Sequence, residues 1–203
     1  MKTVTAQELL ILDERRFDVE HYKWQAYATD YDWYQGVYDN FAETCKANSI
    51  RVDQITFSGF HSPGDSAAFE GRIELTAFME NQGLDVKYPA LYIGVRNDGS
   101  YFMLRYSRTN CMRGGDYEMY ASQTEPDGVF SGLDQQAWEE LIEEQERDAE
   151  LEDRALEFAR HLADELYTNL SDEYDHLTSK ESFIESCECN EITFEIQTEE
   201  ETA

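Results

Sequence analysis

The hydrophobic residues of the N-terminal region recur at intervals of three or four, the period of an amphipathic helix. The clearest stripe consists of Trp33, Val37, Phe41 and Cys45. Upstream, Thr5 and Glu8 have the spacing of a capping box, in which each side chain accepts a hydrogen bond from the other residue's backbone N–H. We therefore predict a short helix after Thr5, a second helix over residues 17–27 and a third that carries the stripe.

Beyond residue 52 the hydrophobic period shortens to two, which is the period of a β-strand. The predicted strands cover residues 52–60, 69–78, 90–95, 101–106 and 117–121. The sequence Asn97-Asp98-Gly99-Ser100 is a strong hairpin-turn signal, so we expect strands 90–95 and 101–106 to pair. These runs predict an antiparallel sheet of about four or five strands, packed on the N-terminal helices.

The C-terminal region is dominated by one long predicted helix, which begins at a cap on Asp134 and runs to about Leu170. A shorter helix is predicted to begin at Thr178 or Ser179, and Ile192–Ile196 alternates like a final strand.

Together these patterns predict an α+β fold with helices packed on an antiparallel sheet and a long acidic C-terminal helix. We divide the chain into residues 1–133, the helix-and-sheet core, and residues 134–203, the acidic helical region with the final strand and an acidic tail. Both parts are expected to form one compact domain.

Composition and charge exclude several classes of function. The chain has 203 residues, of which 44 are acidic and 16 basic, and a formal net charge of −28. This charge excludes direct binding to nucleic-acid phosphates and disfavours binding to anionic membranes. No apolar run is long enough to span a bilayer, the N-terminus has no signal-peptide pattern, and four cysteines make no disulfide framework at this length. We expect a cytoplasmic protein.

The negative charge is concentrated near the C-terminus. Residues 1–133 carry a net charge of −8, whereas residues 134–203 carry −20. A surface adapted to high salt would not need this asymmetry, so the acidic helix itself is the candidate feature. Its acidic residues are Glu139, Glu140, Glu143, Glu144, Glu146, Asp148, Glu150, Glu152 and Asp153.

Two interpretations of the acidic helix remain open. A run of charge is commonly a solvated helix face, and this is the simpler interpretation. Alternatively, the carboxylates imitate DNA phosphates, because duplex DNA carries one charge per roughly 1.7 Å, so that a net charge of −28 equals about 48 Å of duplex. Carboxylates three or four residues apart lie about 5–6 Å from each other on a helix and repel unless a basic partner relieves them.

Several segments resemble a family of small, uncharacterised bacteriophage proteins. The strongest likeness is the run from Ile55 to Asp65, which contains the motif FSGF-x-S-x-GD, followed by Phe69-Glu70-Gly71. Pro63 and Ser66 depart from that pattern, where the family would have Gln and Gly. The resemblance implies a phage or prophage setting and an α+β fold. Because some members are labelled antitoxin-like, it also implies a role in binding protein.

The same motif contains the side chains most able to do chemistry: Ser58, His61, Ser62 and Asp65. Their hydroxyls and the loop's backbone N–H groups are suited to holding an anion, and His61 with Asp65 to acting as a base and its orienting partner. A catalytic triad is defined by geometry rather than by residue count, however. The alternative is a turn whose Ser, Gly and Asp residues satisfy the backbone.

No cofactor or metal is expected. Cys187 and Cys189 lie near His176 in sequence, but they lack the CxxC-type spacing and the second ligand pair of a zinc site. Asp127-Gly128 alone does not make a calcium loop.

The sequence therefore predicts a non-enzymatic, phage-encoded inhibitor without catalytic residues, acting in the host bacterial cytoplasm. It is expected to block a basic, nucleic-acid-binding host defence protein, such as a restriction factor, by DNA mimicry, with no direct nucleic-acid or membrane binding. A homodimer is possible on this pattern. The alternatives are an antitoxin-like module that binds its partner by shape, and a small enzyme or nucleotide binder built on the Ser58–Asp65 loop.

Overall fold

The computed structural model describes residues 2–98, 101–107, 116–121 and 135–197. In chain order the elements are β1 (Lys2–Val4), α1 (Ala6–Leu12), α2 (Glu14–Ala28), α3 (Gln35–Ala47), β2 (Ile50–Phe57), β3 (Ala67–Glu74), α4 (Leu75–Asn81), α5 (Leu84–Lys87), α6 (Pro89–Asp98), β4 (Tyr101–Ser107), β5 (Asp116–Ala121), α7 (Gln135–Leu177), α8 (Lys180–Cys189) and β6 (Phe194–Ile196). Helices and antiparallel sheets occur together, which confirms the predicted α+β class.

The chain forms two compact units. The first consists of Met1–Gly36 and Asn169–Ala203, and the second of Val37–Thr168. The predicted boundary between residues 133 and 134 lies outside the described residues.

In the first unit, β1 and β6 form a two-stranded antiparallel sheet next to α1, α2 and α8. The predicted capping box is confirmed: Thr5 Oγ1 accepts from the N–H of Glu8 at 3.2 Å, and the Glu8 carboxylate accepts from the N–H of Thr5 at 3.0 Å. The predicted start of the last helix is also confirmed, because the Ser179 side chain caps α8. The buried core of this unit contains Val4, Ala6, Leu9, Phe17, Phe183 and Cys187.

In the second unit, four strands form an antiparallel sheet in the order β2-β3-β4-β5, which confirms the predicted antiparallel sheet of about four or five strands. Helix α3 packs on this sheet through Phe41, whose ring lies 5.2 Å from that of Phe69. Gly71 is required in β3, because a Cβ there would lie 2.1 Å from the carbonyl oxygen of Arg51 in β2.

The predicted strand over residues 90–95 is wrong, since this segment lies in helix α6. A strand would place Ile93 and Val95 on the same face, but Ile93 is 57% exposed and Val95 only 8%. The hairpin predicted at 97–100 is wrong for the same reason: Asn97 and Asp98 end the helix, and residues 99–100 lie outside the described ranges. The predicted strand 69–78 is correct only to Glu74, after which α4 begins.

Helix α7 confirms the long C-terminal helix and extends beyond the predicted end. From residue 151 onward its buried side chains form one stripe at helical spacing: Leu151, Ala155, Ala159, Leu162, Ala163, Leu166 and Leu170. Within the second unit, Phe158 of α7 contacts Phe78 of α4, with ring centroids 5.9 Å apart. This stripe fixes which face of α7 points to solvent.

Among the helices of the described ranges, none has the length and apolarity needed to cross a membrane.

Candidate functional site

The predicted partner-binding surface lies on α7, and the structure describes its backbone throughout but only some of its side chains. The side chains of Glu139, Glu140, Glu143, Glu144, Glu146 and Asp148 lie outside the described ones. Glu152 and Asp153 are exposed, whereas Glu150 is half-buried. Of the predicted residues, the structure therefore places two exposed acids, Glu152 and Asp153, and a third, Glu150, whose carboxylate is bound by other side chains of this chain.

The acidic face continues along α7 beyond the predicted residues. Opposite the buried stripe, the exposed acids from residue 152 to 168 are Glu152, Asp153, Glu157, Asp164 and Glu165. Exposed Arg154 and Arg160 interrupt them, and His161 forms an ion-pair contact with Glu165 at 3.3 Å that is charged only when the imidazole is protonated. This part of α7 presents a predominantly anionic face to solvent.

Glu150 is the most strongly paired acid in the described part of α7. Its Oε1 accepts from Lys87 Nζ at 2.6 Å and from Arg154 Nε at 3.1 Å, and its other oxygen accepts from the Tyr88 hydroxyl. The hydrogen bond from Lys87, followed by that from Tyr88, lowers the pKa of Glu150 from 4.5 to about 2. The carboxylate thus joins α7 to the end of α5, which makes it a structural rather than a partner-binding group.

The Ser58–Asp65 loop is closed by its own aspartate. The Asp65 carboxylate accepts hydrogen bonds from the backbone N–H groups of His61 at 3.0 Å and Ser62 at 2.7 Å, and from Ser58 Oγ at 3.2 Å. The backbone N–H of Asp65 in turn donates to the Ser62 carbonyl at 2.9 Å. Gly59 has a left-handed φ of 144°, and a Cβ there would lie 3.2 Å from Asp65 Oδ2.

These contacts decide what the loop can do. The backbone N–H groups expected to hold an external anion already bind the Asp65 carboxylate, so the anion in this nest belongs to the chain itself. Ser58 Oγ donates directly to that carboxylate, which is not the arrangement of a serine activated by a histidine. The geometry is that of a structural turn between β2 and β3.

Phe60 ties this turn to α7. Its ring stacks on Phe57 with centroids 5.7 Å apart and contacts Tyr167 of α7 at 5.7 Å. Ser66 Oγ, at the end of the turn, is buried and has no hydrogen-bond partner among the described residues. The aromatic contacts of Phe60 give the turn a structural role, because they hold it against α7.

The cysteines on α8 lie on different sides of the helix, since Cys187 is buried and Cys189 exposed. Burial raises the pKa of Cys187 above its usual value. Within the described ranges, no group of three or more His, Cys, Asp or Glu side chains is arranged to hold a metal ion.

The first unit also has an aromatic groove of about 440 Å³ that the sequence patterns did not indicate. Its lining includes Trp24, Tyr27 and Tyr31 from the N-terminal segment, and Leu177, Glu185 and Cys189 from the C-terminal segment. Tyr27 is 75% exposed and Tyr31 58% exposed, which is unusual for aromatic rings of this size. The groove joins residues about 150 positions apart, so no local signal reveals it.

Comparison with known proteins gives one match. A family model, described as a domain of unknown function (DUF8835), matches residues 33–88. This segment includes α3, β2, the Ser58–Asp65 turn, β3, α4 and α5, but no residue of α7. No curated protein and no solved structure matches the chain.

Proposed function

We propose that this chain is a phage-encoded, non-enzymatic inhibitor that binds a basic, nucleic-acid-binding host defence protein in the host cytoplasm by DNA mimicry. The observation that supports the proposal is the predominantly anionic exposed face of α7 from Glu152 to Glu165, opposite the buried stripe that begins at Leu151. Restriction factors and related DNA-acting defence proteins are the expected class of target.

The density of charge on α7 supports this mechanism. Residues 139–153 carry nine acids and one base, Arg147, a net charge of −8; at 1.5 Å per residue they span about 22 Å of helix, or one net charge per roughly 2.8 Å. One DNA strand carries a phosphate per about 3.4 Å of axis and the duplex one per about 1.7 Å. The acidic run therefore has a charge density between those of one strand and two.

A groove made to bind phosphates would recognise such a helix because both offer regularly spaced anions on a rigid rod. Electrostatic steering would speed association, and the interaction would weaken as salt screens the charges. Neighbouring carboxylates on α7 repel each other, and basic side chains of the partner would reduce this repulsion on binding. The bound state is therefore favoured.

The test is affinity purification of the partner from the bacterial host, followed by binding measurements from 50 to 200 mM salt. We expect affinity to fall at least tenfold over this range, and duplex DNA to displace the chain from its partner. The five-residue variant Glu152→Gln, Asp153→Asn, Glu157→Gln, Asp164→Asn and Glu165→Gln should bind at least tenfold more weakly.

The matched control removes five exposed acids from the first unit, outside the lining of the aromatic groove: Glu14, Glu181, Glu188, Glu191 and Glu195, each replaced by Gln. It has the same net charge as the α7 variant and should keep most of the affinity. Equal losses in both variants would mean that only net charge matters. Affinity independent of salt would exclude mimicry.

A second candidate is an antitoxin-like module that recognises its partner by shape, which the aromatic groove of the first unit favours. Aromatic side chains are enriched at the centres of protein interfaces, where they lose water on binding. In that case Tyr27→Ser with Tyr31→Ser should abolish binding, whereas the α7 variant should leave it intact. The opposite result supports DNA mimicry.

A further inference from the structure

The aromatic groove of the first unit lies between α8 and the end of α2. Trp24, Tyr27 and Ala28 share one face of α2, because they are spaced three and four residues apart, and Tyr31 follows in the turn after this helix. The lining from α8 has the same spacing and consists of Ser182, Glu185, Ser186 and Cys189. The groove is therefore formed by two helix faces of a single compact unit.

Trp24 is the best-supported ring of the groove. Its centroid lies 5.4 Å from that of Phe183 and 6.1 Å from that of His21, with an interplanar angle of 25° to His21. Phe183 belongs to the buried core, and His21 Nε2 lies 2.8 Å from the carbonyl oxygen of Thr178. The half-buried indole is thus held from the inside, which gives a ligand a defined aromatic surface to bind.

The two tyrosines complete the aromatic wall and are largely accessible. Tyr27 is 75% exposed and Tyr31 58% exposed, and neither side chain makes a hydrogen bond or ring contact within the described residues. The face of an aromatic ring carries partial negative charge and attracts a cation placed within about 6 Å of its centre. A wall of three such rings favours a cationic ligand.

The charges around the groove also favour a cation. Glu185 is exposed and forms no ion pair within the described residues, and none of the described lining residues is basic. The last turns of α2 and α8 contain no basic residue either, although the C-terminus of a helix attracts positive charge. The first unit as a whole has 18 acidic and 5 basic residues, a net charge of −13.

We propose that the aromatic groove binds an arginine side chain of a protein partner. The guanidinium would stack on the aromatic wall while its N–H groups donate to the Glu185 carboxylate. This inference rests on the second candidate function, for which it names the chemistry of the partner, and it does not rest on DNA mimicry.

Arginine fits the groove better than other cations do. Its guanidinium is flat, so it can stack on a ring and donate two parallel hydrogen bonds to a carboxylate at the same time. The lysine ammonium is compact and strongly hydrated, and a quaternary ammonium has no N–H group to donate to Glu185.

The probe is the acetylated and amidated peptide Gly-Ser-Arg-Ser-Gly, titrated into the isotope-labelled full chain at 150 mM salt and followed by NMR. We expect saturable shifts concentrated at residues 24–31 and 182–189. The same peptide with lysine should bind about fivefold more weakly, since it keeps the charge but loses the stacking plane. The peptide with citrulline, which keeps the planar shape without the charge, should bind at least about tenfold more weakly.

Two substitutions separate the contacts from the overall charge. Glu185→Gln should weaken binding of the arginine peptide at least fivefold, whereas Glu188→Gln removes the same charge from an exposed position of α8 outside the lining and should change it less than twofold. Tyr27→Leu keeps an apolar side chain but loses the aromatic face, and should weaken binding at least threefold. Tyr22→Leu is its matched control, because Tyr22 is 77% exposed on the same helix and does not line the groove.

The proposal is overturned if the arginine peptide causes no saturable shift at millimolar concentration, or if the lysine or citrulline peptide binds as tightly. Equal binding of tetramethylammonium would also overturn it, since the groove would then need no N–H donor. The five-residue α7 variant should bind the peptide as wild type does. If the peptide binds but the host partner is still captured by Tyr27→Ser with Tyr31→Ser, the arginine site stands and the antitoxin-like function fails.

Discussion

Lys87 Nζ lies 2.6 Å from Glu150 Oε1, although the two residues are 63 positions apart in sequence. This hydrogen bond joins the end of α5 to the acidic helix α7. Lys87 therefore pairs with one carboxylate of α7, whereas the other acids of this helix are expected to stay available for a partner. It also explains why the pKa of Glu150 is lowered to about 2, with the Lys87 hydrogen bond as the largest cause.

We expect Glu150→Gln to change how stability depends on pH. A lowered carboxylate pKa stabilises the fold fully above the unfolded value of 4.5, and this contribution is lost as the pH falls from 4.5 to about 2. The difference in unfolding free energy between wild type and variant should therefore be constant above pH 4.5 and shrink below it. Urea unfolding at several pH values measures this difference.

The control for that experiment is Glu157→Gln, two turns further along α7, where the carboxylate is exposed and makes no ion pair within the described residues. The difference in unfolding free energy between Glu157→Gln and wild type should not shrink as the pH falls below 4.5, unlike that of Glu150→Gln. Direct NMR titration of Glu150 gives an independent reading, and a midpoint near 4.5 would contradict the pairing.

The parts of the fold that could be predicted are those whose signals are local. The Thr5–Glu8 capping box and the stripe containing Phe41 and Cys45 need only neighbouring residues, and both occur where expected. The pattern of residues 90–95 does not separate strand from helix, because a short apolar run fits either. Pro89 at the first helical position is the signal that favours α6.

The parts of the site that could not be predicted depend on contacts between distant segments. No local pattern links Glu150 to Lys87 and Tyr88, so the acidic helix looks uniformly available in the sequence. The residue types of the Ser58–Asp65 loop suit either a site or a turn, and they do not show whether Asp65 serves the backbone or a substrate. That distinction requires the hydrogen bonds.

We expect Asp65→Ala to destabilise the protein by about 1 kcal/mol, because it removes the acceptor of two backbone N–H groups and one of the two acceptors of the Ser58 hydroxyl, in an exposed turn where water replaces part of each bond. Chemical denaturation measures the loss. Ser62→Ala is the matched control, since Ser62 contributes only backbone groups to these bonds, and should cost less than about 0.5 kcal/mol. His61→Ala should leave inhibition of the partner unchanged; its loss would restore the hypothesis of a functional loop.

Gly71→Ala should be among the most damaging single substitutions in the second unit. The added methyl group would lie 2.1 Å from the Arg51 carbonyl oxygen, and a backbone atom in a paired strand cannot move aside without separating β2 from β3. We expect a loss of about 3 kcal/mol, at the upper end for overpacking. The midpoint of thermal or urea unfolding gives the result.

Gly36→Ala is the contrasting variant, because a Cβ at this position of α3 meets no atom within 4 Å. Alanine has the higher helix propensity, so stability should rise by about 0.5–1 kcal/mol. Similar effects at Gly36 and Gly71 would show that close strand approach is not what requires Gly71.

The cysteines should differ in reactivity according to burial. Cys45 and Cys187 are buried, and burial raises the pKa of the Cys45 thiol to about 12, so at pH 8 only about one in ten thousand molecules carries its thiolate. Cys189 is exposed and should react with iodoacetamide at least a hundredfold faster than Cys45 in the folded protein. Mass spectrometry of the digested protein assigns the label to each position, which is necessary because Cys111 lies outside the described residues.

In concentrated urea the difference in labelling rate between Cys189 and Cys45 should disappear, since the unfolded chain exposes every thiol equally. Rapid labelling of Cys45 under native conditions would mean that the contact between α3 and the sheet opens readily, and would contradict the tight packing of Phe41 on Phe69.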